Sequence, residues 1–359
     1  MEQKIDINNI HTIPKMGVKK INDIFKKYNV KCEFNTPFDF FVGKRIAVDL
    51  NNRLYITKSG AIKTVLYGTD LTQSLPDKEE IDRITLDRFY GEMIFLIKHN
   101  ITPVVVFDGT PIPQKDNEIN KRKSYKHKNK LRLIELEMKL SDNSCDTLNR
   151  DKLSTEYSKL YISNYTVGKK LIDSVVEVLK MTGIPVLCPN DFPLKTTDGE
   201  GLASLLCVKG LASGVYSNDT DVQLYGANVA ILEIQQNNFK VKILEKILED
   251  LKITYLQFQD MCILCGTDYN DNISRIGPLT AIKHIKNHGS FENLISKNII
   301  KSDSIDYIQV RELFNLENTI IELSENQLNF RIHEFKLNCS EIFKIYNMTD
   351  YSCKLGIIL

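Results

Sequence analysis

The sequence predicts an α/β protein with a mostly parallel central sheet flanked by helices, and three observations support that reading. The run Arg45–Leu50 is apolar and β-branched and delivers Asp49 at its carboxyl end. A second run, Pro103–Phe107, leads directly into Asp108-Gly109. Between the two, Leu86–His99 favours a helix. Strand, helix, strand in that order marks a βαβ unit, whose strands lie parallel and are buried on both faces.

The other elements follow in chain order. Residues 1–15 are polar and without periodicity, as in a flexible extension, and Gly17–Tyr28 is expected to form a short helix with Val18, Ile21, Ile24 and Phe25 on one face. Thr110–Pro113 breaks the pattern, and Lys115 to about Leu140 reads as a long charged helix with little apolar face. A helix of that kind bridges solvent or meets a charged partner. Ser141–Ser163 is low in apolar residues and reads as loop or as a continuation of the same excursion. A 3.6-residue period returns through Val167, Leu171, Ile172, Val175, Val178 and Leu179. Ile184–Leu187 is a third strand, Glu200–Val208 a helix, Gly214–Ser217 a short strand, and Val229–Ile234 with Lys240–Ile243 a hairpin. Beyond Ile253 the pattern is helical, and no internal repeat is seen.

With 42% apolar and 26% charged residues, the 359-residue chain can bury a sizeable core as one large domain or two closely joined ones. A net charge of +1 announces no polyanion partner, although it can hide opposite local patches. The longest apolar stretches, such as Val104–Phe107, fall far short of the roughly 20 residues that span a bilayer, and the polar start is no signal peptide. An intracellular protein without a membrane partner, in nucleus or cytoplasm, is expected. Eight irregularly spaced cysteines point to reduced thiols. The Cys262/Cys265 pair lies inside an apolar run and reads as buried core rather than zinc ligation.

The informative feature is the position of the acids. Asp49 and Asp108 end apolar strands, Asp219 and Asp221 follow Val215-Tyr216-Ser217, and Asp268 follows Ile263-Leu264-Cys265-Gly266. With Asp198 and Glu200 they make seven carboxylates at or beside the ends of apolar elements. Burial of an unpaired charge there costs several kcal/mol. Carboxyl ends of strands in an open α/β sheet gather at one edge, where ligands bind. Acids converging there call for hard cations, and oxygen-only ligands suit Mg²⁺ or Mn²⁺ in a two-metal phosphoryl-transfer site. A single aspartate after a strand is more often a helix cap or turn residue; it is the set that points to metal. At this level phosphatase-like, kinase-like and nuclease chemistries all remain open.

Six segments, in order and at similar distances, resemble the XPG-type flap endonuclease family from Met16 onward. They are Met16-Gly17-Val18-Lys19-Lys20-Ile21, Ile46-Ala47-Val48-Asp49, Val105-Val106-Phe107-Asp108-Gly109, Asp198-Gly199-Glu200-Gly201, Asn218-Asp219-Thr220-Asp221, and Cys265-Gly266-Thr267-Asp268-Tyr269 with Ile276-Gly277-Pro278. The resemblance implies a PIN-like 5′ nuclease core, a helical arch and an all-helical helix-two-turn-helix region. It divides the chain into an extension (1–15), a first region with the arch from about 115 (16–140), a loop or arch continuation (141–164), an internal region (165–252) and a helical carboxyl-terminal region (253–359). It also implies that Asp49, Asp108, Asp198, Glu200, Asp219, Asp221 and Asp268 hold two Mg²⁺ ions, for which Mn²⁺ can substitute, and that the protein cuts branched or flapped DNA as a monomer.

Lys115 and Arg122 match the catalytic basic pair of the family's arch; seven residues, about two turns, would put them on one helix face. Lys121, Lys123 and Lys126 would add positive charge for DNA, and Tyr55 matches a tyrosine that stacks on a base. Gly277 and Pro278 would open a helix whose free N–H groups hold a phosphate, assisted by K⁺. No sliding-clamp box of the Gln-x-x-Leu-x-x-Phe-Phe type ends the sequence, and the Lys, Asn and Ile usage with the short tail is similar to that of nucleases of large DNA viruses. Two departures stand out. Asp198-Gly199-Glu200 replaces the family's Glu-x-Glu behind an extra stretch, Asn190–Thr197, so the shorter acid is expected to act through a water; and fifteen residues precede Met16. A Holliday-junction resolvase or a processive 5′ exonuclease would share this core. A non-catalytic scaffold would have lost several acids, and all seven positions here are acidic.

Overall fold

The computed structural model describes residues 18, 20–142, 147–301, 305–316, 318–349 and 351. The expected extension, Met16-Gly17 and residues 352–359 lie outside them. Seven strands form one sheet among the described residues: β1 (Glu33–Pro37), β2 (Arg45–Asp49), β3 (Thr102–Val106), β4 (Val186–Leu187), β5 (Val215–Tyr216), β6 (Val229–Ile234) and β7 (Asn238–Ile243). Their order is β1-β7-β6-β5-β2-β3-β4. The five from β6 to β4 are parallel, and β7 and β1 add an antiparallel edge. Ile46, Ala47, Val48, Val104, Val105 and Val106 are all fully buried, which is why β2 and β3 are continuously apolar instead of alternating.

Helices Lys78–Lys98, Lys169–Met181 and Ile332–Ile345 cover one face of the sheet through Phe89, Met93, Val175, Leu179 and Phe335. Helix Gly199–Val208 covers the other, with Leu202 and Leu206 against Val104, Val106 and Val215. A third core joins Ile21–Lys27 to Tyr255–Cys265, Pro278–His288 and Tyr307–Phe314. There the fully buried Asp260 pairs with Arg311 at 2.6 Å and accepts the Phe291 N–H at 3.2 Å. Cys262 and Cys265 are free thiols inside this core, and burial pushes Cys265 up to about 12.

The sequence reading assigns no helix to Leu50–Gly68 or to Leu244–Leu251, both of which form, and two further segments differ from it. Strand β1 has no counterpart in the sequence reading, because its largely exposed residues show no alternation; among the described residues it pairs with β7 alone. The stretch read as loop or continuation contains a helix, Thr147–Asn164, packed along Asp116–Ser141. Its low apolar content reflects a single buried stripe, Tyr157, Tyr161 and Ile162, facing Leu133, Leu136 and Leu140.

This helical pair stands on helix Leu50–Gly68, at a point where Lys58 is buried and its Nζ has no hydrogen-bond partner among the described residues. Its ammonium lies 4.1 Å from the Tyr165 ring centroid, and Tyr165 Oη donates to Asp82 at 2.6 Å. Burial lowers Lys58 to about 7, with the Asp82 charge opposing and Lys126 reinforcing. A folded-state value below the unfolded one means that both states are protonated below about pH 7, so the full penalty applies there. Above it the unfolded chain alone binds the proton, and stability rises with pH. Lys58→Met is therefore expected to be more stable than the parent at pH 6. The advantage should shrink by roughly 1.4 kcal/mol per pH unit between about 7 and 10 in urea unfolding. A pH-independent difference would show that Lys58 stays charged.

Candidate active site

Strands β5, β2 and β3 end side by side, and each hands the chain over to acids. Asp49 closes β2; its Oδ1 accepts the Asn52 N–H at 3.2 Å, capping Leu50–Gly68, and its Oδ2 accepts from Ser217 Oγ at 2.8 Å. The helix-cap role of such an aspartate is thus real, yet the same carboxylate is within electrostatic reach of Asp108 and Asp219. Asp108, two residues past β3, accepts the Gly199 N–H at 2.8 Å and a bond from Asn51 Nδ2. A Cβ on Gly199 would come within 3.0 Å of that carboxylate, so glycine is what allows the approach. Asp198 occupies the N-cap position of Gly199–Val208, with Glu200 in its first turn. Asp219 and Asp221 follow β5, and Asp219 Oδ1 accepts the Asp221 N–H at 3.0 Å. Asp268 comes after helix Tyr255–Cys265 rather than after a strand. The extra stretch lies over the turn beyond β3: Asn190 Oδ1 accepts the Thr110 N–H at 3.2 Å, and the Gly109 N–H donates to Thr197 O at 2.8 Å.

These acids strain against one another. Asp49, Asp198, Asp219 and Asp221 are buried, Glu200 half-buried, and Asp108 exposed. Burial, then the Asp108 charge, raises Asp49 to about 7. Burial raises Asp219 to about 6, with Asp268 adding to it and the Asp221 amide opposing. Glu200 is raised well above its ordinary range by burial and Asp198, and Asp221 by burial and Asp219. Asp108 rises too, through the protein packed around it and the Asp198 charge, although one side is open. Lys115 is the counter-charge: its Nζ lies 2.6 Å from Asp198 Oδ1 and 3.8 Å from Asp268 Oδ2. Burial alone would lower it, but Glu200 and Asp198 outweigh that and keep it protonated.

Among the described residues no group of three or more His, Cys, Asp or Glu side chains is drawn together tightly enough to hold a metal ion as it stands. The donor chemistry nonetheless fits hard cations. The ligands on offer are carboxylate oxygens, and Asp221 Oδ1, on a carboxyl raised by burial and by Asp219, is buried with no hydrogen-bond partner among the described residues.

Lys115 is not within the arch helix, as its spacing suggested. Pro113–Lys115 forms a 3₁₀ turn and the helix starts at Asp116, yet the turn and the helix together bring both cations to Asp268. Arg122 Nη2 lies 3.0 Å from both Asp268 oxygens, and its Nε 3.0 Å from Glu118. Lys121 pairs with Asp271 at 2.5 Å, Lys123 is exposed, and Lys126 is half-buried near Arg122. Tyr55, half-buried on Leu50–Gly68, and Gly277-Pro278, at the exposed start of Pro278–His288, share no hydrogen bond or ion pair with the acids among the described residues. Sequence reasoning missed Asn51, Asn52, Ser217, Thr196 and Tyr225. Only the Asn51-Asn52 doublet directly after Asp49 offered a signal.

Residues 16–129 match the XPG N-terminal domain and residues 196–268 the XPG I-region. Flap endonuclease 1 of Glycine max is 29% identical over 326 residues, covering 88% of this chain and 78% of that one. Flap endonuclease 1 of Cryptosporidium muris is 30% identical over 323 residues, covering 85% and 63%. The fold is shared with the catalytic core of Rad2 in complex with DNA substrate (TM-score 0.62, 18% identity, 92% of this chain and 95% of that one). It is also shared with human GEN1 in complex with Holliday junction DNA (TM-score 0.57, 16% identity, 93% and 75%). The two matched regions contain all seven acids together with Lys115 and Arg122, and the chain belongs to the XPG family of phosphodiester-hydrolysing nucleases.

Proposed function

We propose that this nuclease is a metal-dependent 5′ flap endonuclease and 5′–3′ exonuclease acting as a monomer on branched or flapped DNA in replication, repair or recombination, in nucleus or cytoplasm. The observation that supports this best is the meeting of two arch cations, Lys115 and Arg122, with the acids Asp198 and Asp268 at the carboxyl edge of the sheet. No helix among the described residues is long and apolar enough to cross a membrane.

Asp49, Asp108, Asp198, Glu200, Asp219, Asp221 and Asp268 would hold two Mg²⁺ ions, or Mn²⁺ in their place. Such a pair, when bound, activates water and stabilises charge on a phosphate under attack. The protein's own part is electrostatic and positional. Once their carboxylate partners are neutralised, the Lys115 ammonium and the Arg122 guanidinium are available to a scissile phosphate, one as a compact charge and the other as a planar fork. Lys121, Lys123 and Lys126 would steer the backbone, Tyr55 would stack on a base beside the cut, and the open helix start at Gly277-Pro278 would take a phosphate with K⁺ assisting.

Removing divalent cations with EDTA is expected to stop cleavage of a labelled 5′ flap. Asp108→Ala and Asp221→Ala should each cut the rate by roughly a hundred-fold or more with DNA affinity little changed. Cleavage persisting in EDTA would refute the metal mechanism, and a panel of flap, nicked duplex, blunt duplex and four-way junction separates flap cutting from junction resolution.

For the arch, Lys115→Ala and Arg122→Ala should each lower the single-turnover rate at saturating enzyme by about ten-fold or more, a loss of about 1.4 kcal/mol of transition-state stabilisation. Weaker affinity and a smaller salt slope at an unchanged saturating rate would reduce both residues to binding contacts.

A further inference from the structure

Asp198 is one methylene shorter than the glutamate usual in the family, and the protein around it is built to hold it. Its Oδ2 lies 3.2 Å from Tyr225 Oη and within hydrogen-bond distance of Tyr269 Oη. The two phenol oxygens are 2.6 Å apart, and Thr196 Oγ1 lies 2.7 Å from Tyr269 Oη and 3.2 Å from Tyr225 Oη. The Asp198 N–H donates to Thr196 Oγ1 at 3.2 Å, closing a ring of hydrogen bonds. Thr196, Tyr225 and Tyr269 are all buried. Space for the cage comes from Gly201, where a Cβ would lie 2.7 Å from the Thr196 methyl and 3.4 Å from the Tyr225 ring. Phe314 backs both tyrosine rings, with centroids at 4.8 and 5.3 Å.

Proton counting fixes what this cage does. Three hydroxyl protons serve these oxygens, and two orderings use every donor: from the Asp198 N–H to Thr196, then either Thr196 to Tyr225 to Tyr269 to Asp198 Oδ2, or Thr196 to Tyr269 to Tyr225 to Asp198 Oδ2. Hydrogen bonds chained in this way polarise one another. Oδ2 is thereby occupied, and Oδ1 alone faces the site, 2.6 Å from Lys115 Nζ.

We propose that Thr196, Tyr225 and Tyr269 are positioning residues that fix the short Asp198 carboxylate with a single oxygen turned to the site, so that Asp198 serves Lys115 and the metal pair through that oxygen alone. This rests on the metal-dependent reading of the acids. Tyr225→Phe and Thr196→Val each delete one hydroxyl and keep the packing. Both are expected to lower the single-turnover rate by about ten-fold at saturating Mg²⁺, with flap affinity in the absence of divalent cations unchanged within about two-fold. The Mg²⁺ affinity of the DNA-free protein, measured by titration calorimetry, should also fall. Adding Asp198→Glu to Tyr225→Phe should recover part of the rate, because the longer acid depends less on the cage, whereas Asp198→Glu alone, inside the intact cage, should be slower than wild type.

Wild-type rates and Mg²⁺ affinity in both hydroxyl deletions would overturn the proposal. So would losses of rate that only track loss of folded protein in a thermal melt. A wild type that binds Mg²⁺ but cuts no flap would count against the flap reading while calorimetry still tests the cage, and a wild type that does neither overturns both.

Discussion

Repulsion among carboxylates at one edge of the sheet is the constraint around which this molecule is arranged. Parallel strands buried on both faces end together, and their acids arrive at the same place with little water to screen them. The fold answers with local partners. Asp49 and Asp108 take amide N–H groups, Asp198 takes a phenol and an ammonium, and Asp268 takes a guanidinium. Charge is left over, as the raised acids and the unpartnered oxygen of Asp221 show. A protein selected for stability alone would not keep such an edge, because an uncompensated buried charge costs several kcal/mol.

Support for that edge comes from ordinary packing. The two faces of the sheet are covered by apolar helices, and the carboxyl-terminal helices add a core of their own that carries Asp268 into place at the end of Tyr255–Cys265. Helix Leu50–Gly68 joins the two functions of the scaffold. At one end it is capped by Asp49; further along, Ala61 and Ile62 form the foundation of the arch with Leu136 and Tyr161. Nineteen residues of α-helix extend roughly 28 Å, so one rigid element ties the position of an acid to the footing of the cations that face it.

Much of this was legible in the sequence because it is encoded locally. Strands β2 and β3 announce themselves as apolar runs ending on aspartates, and the arch helix as a long charged segment. What was not legible depends on distant partners. Strand β1 is defined by pairing with β7, some two hundred residues away, and not by its own pattern. The helix Thr147–Asn164 reads as polar because a single stripe meets a neighbour that only the fold supplies. Lys115 looked helical by spacing, and Pro113 turns the chain just before the helix begins. The hydroxyl cage was beyond reach for the same reason, since Thr196, Tyr225 and Tyr269 are separated by 29 and 44 residues and none is distinctive alone.

The arch helix is two different things along its length. Its buried side chains, Asn129, Leu133, Leu136 and Leu140, all lie in the second half; residues 116–128 bury none. That first half is held by Lys121 to Asp271, by Arg122 to Asp268, and within itself by Arg122 to Glu118. A helical stretch of that length is marginal in water by itself, so its cohesion is set by ion pairs that salt screens rather than by the hydrophobic effect. Unfolding this half on its own would lose ion pairs but no buried side chain, and so would cost less than opening the core. Opening of this half would expose its amides to exchange while the foot stays protected, at no cost to the packing of the core.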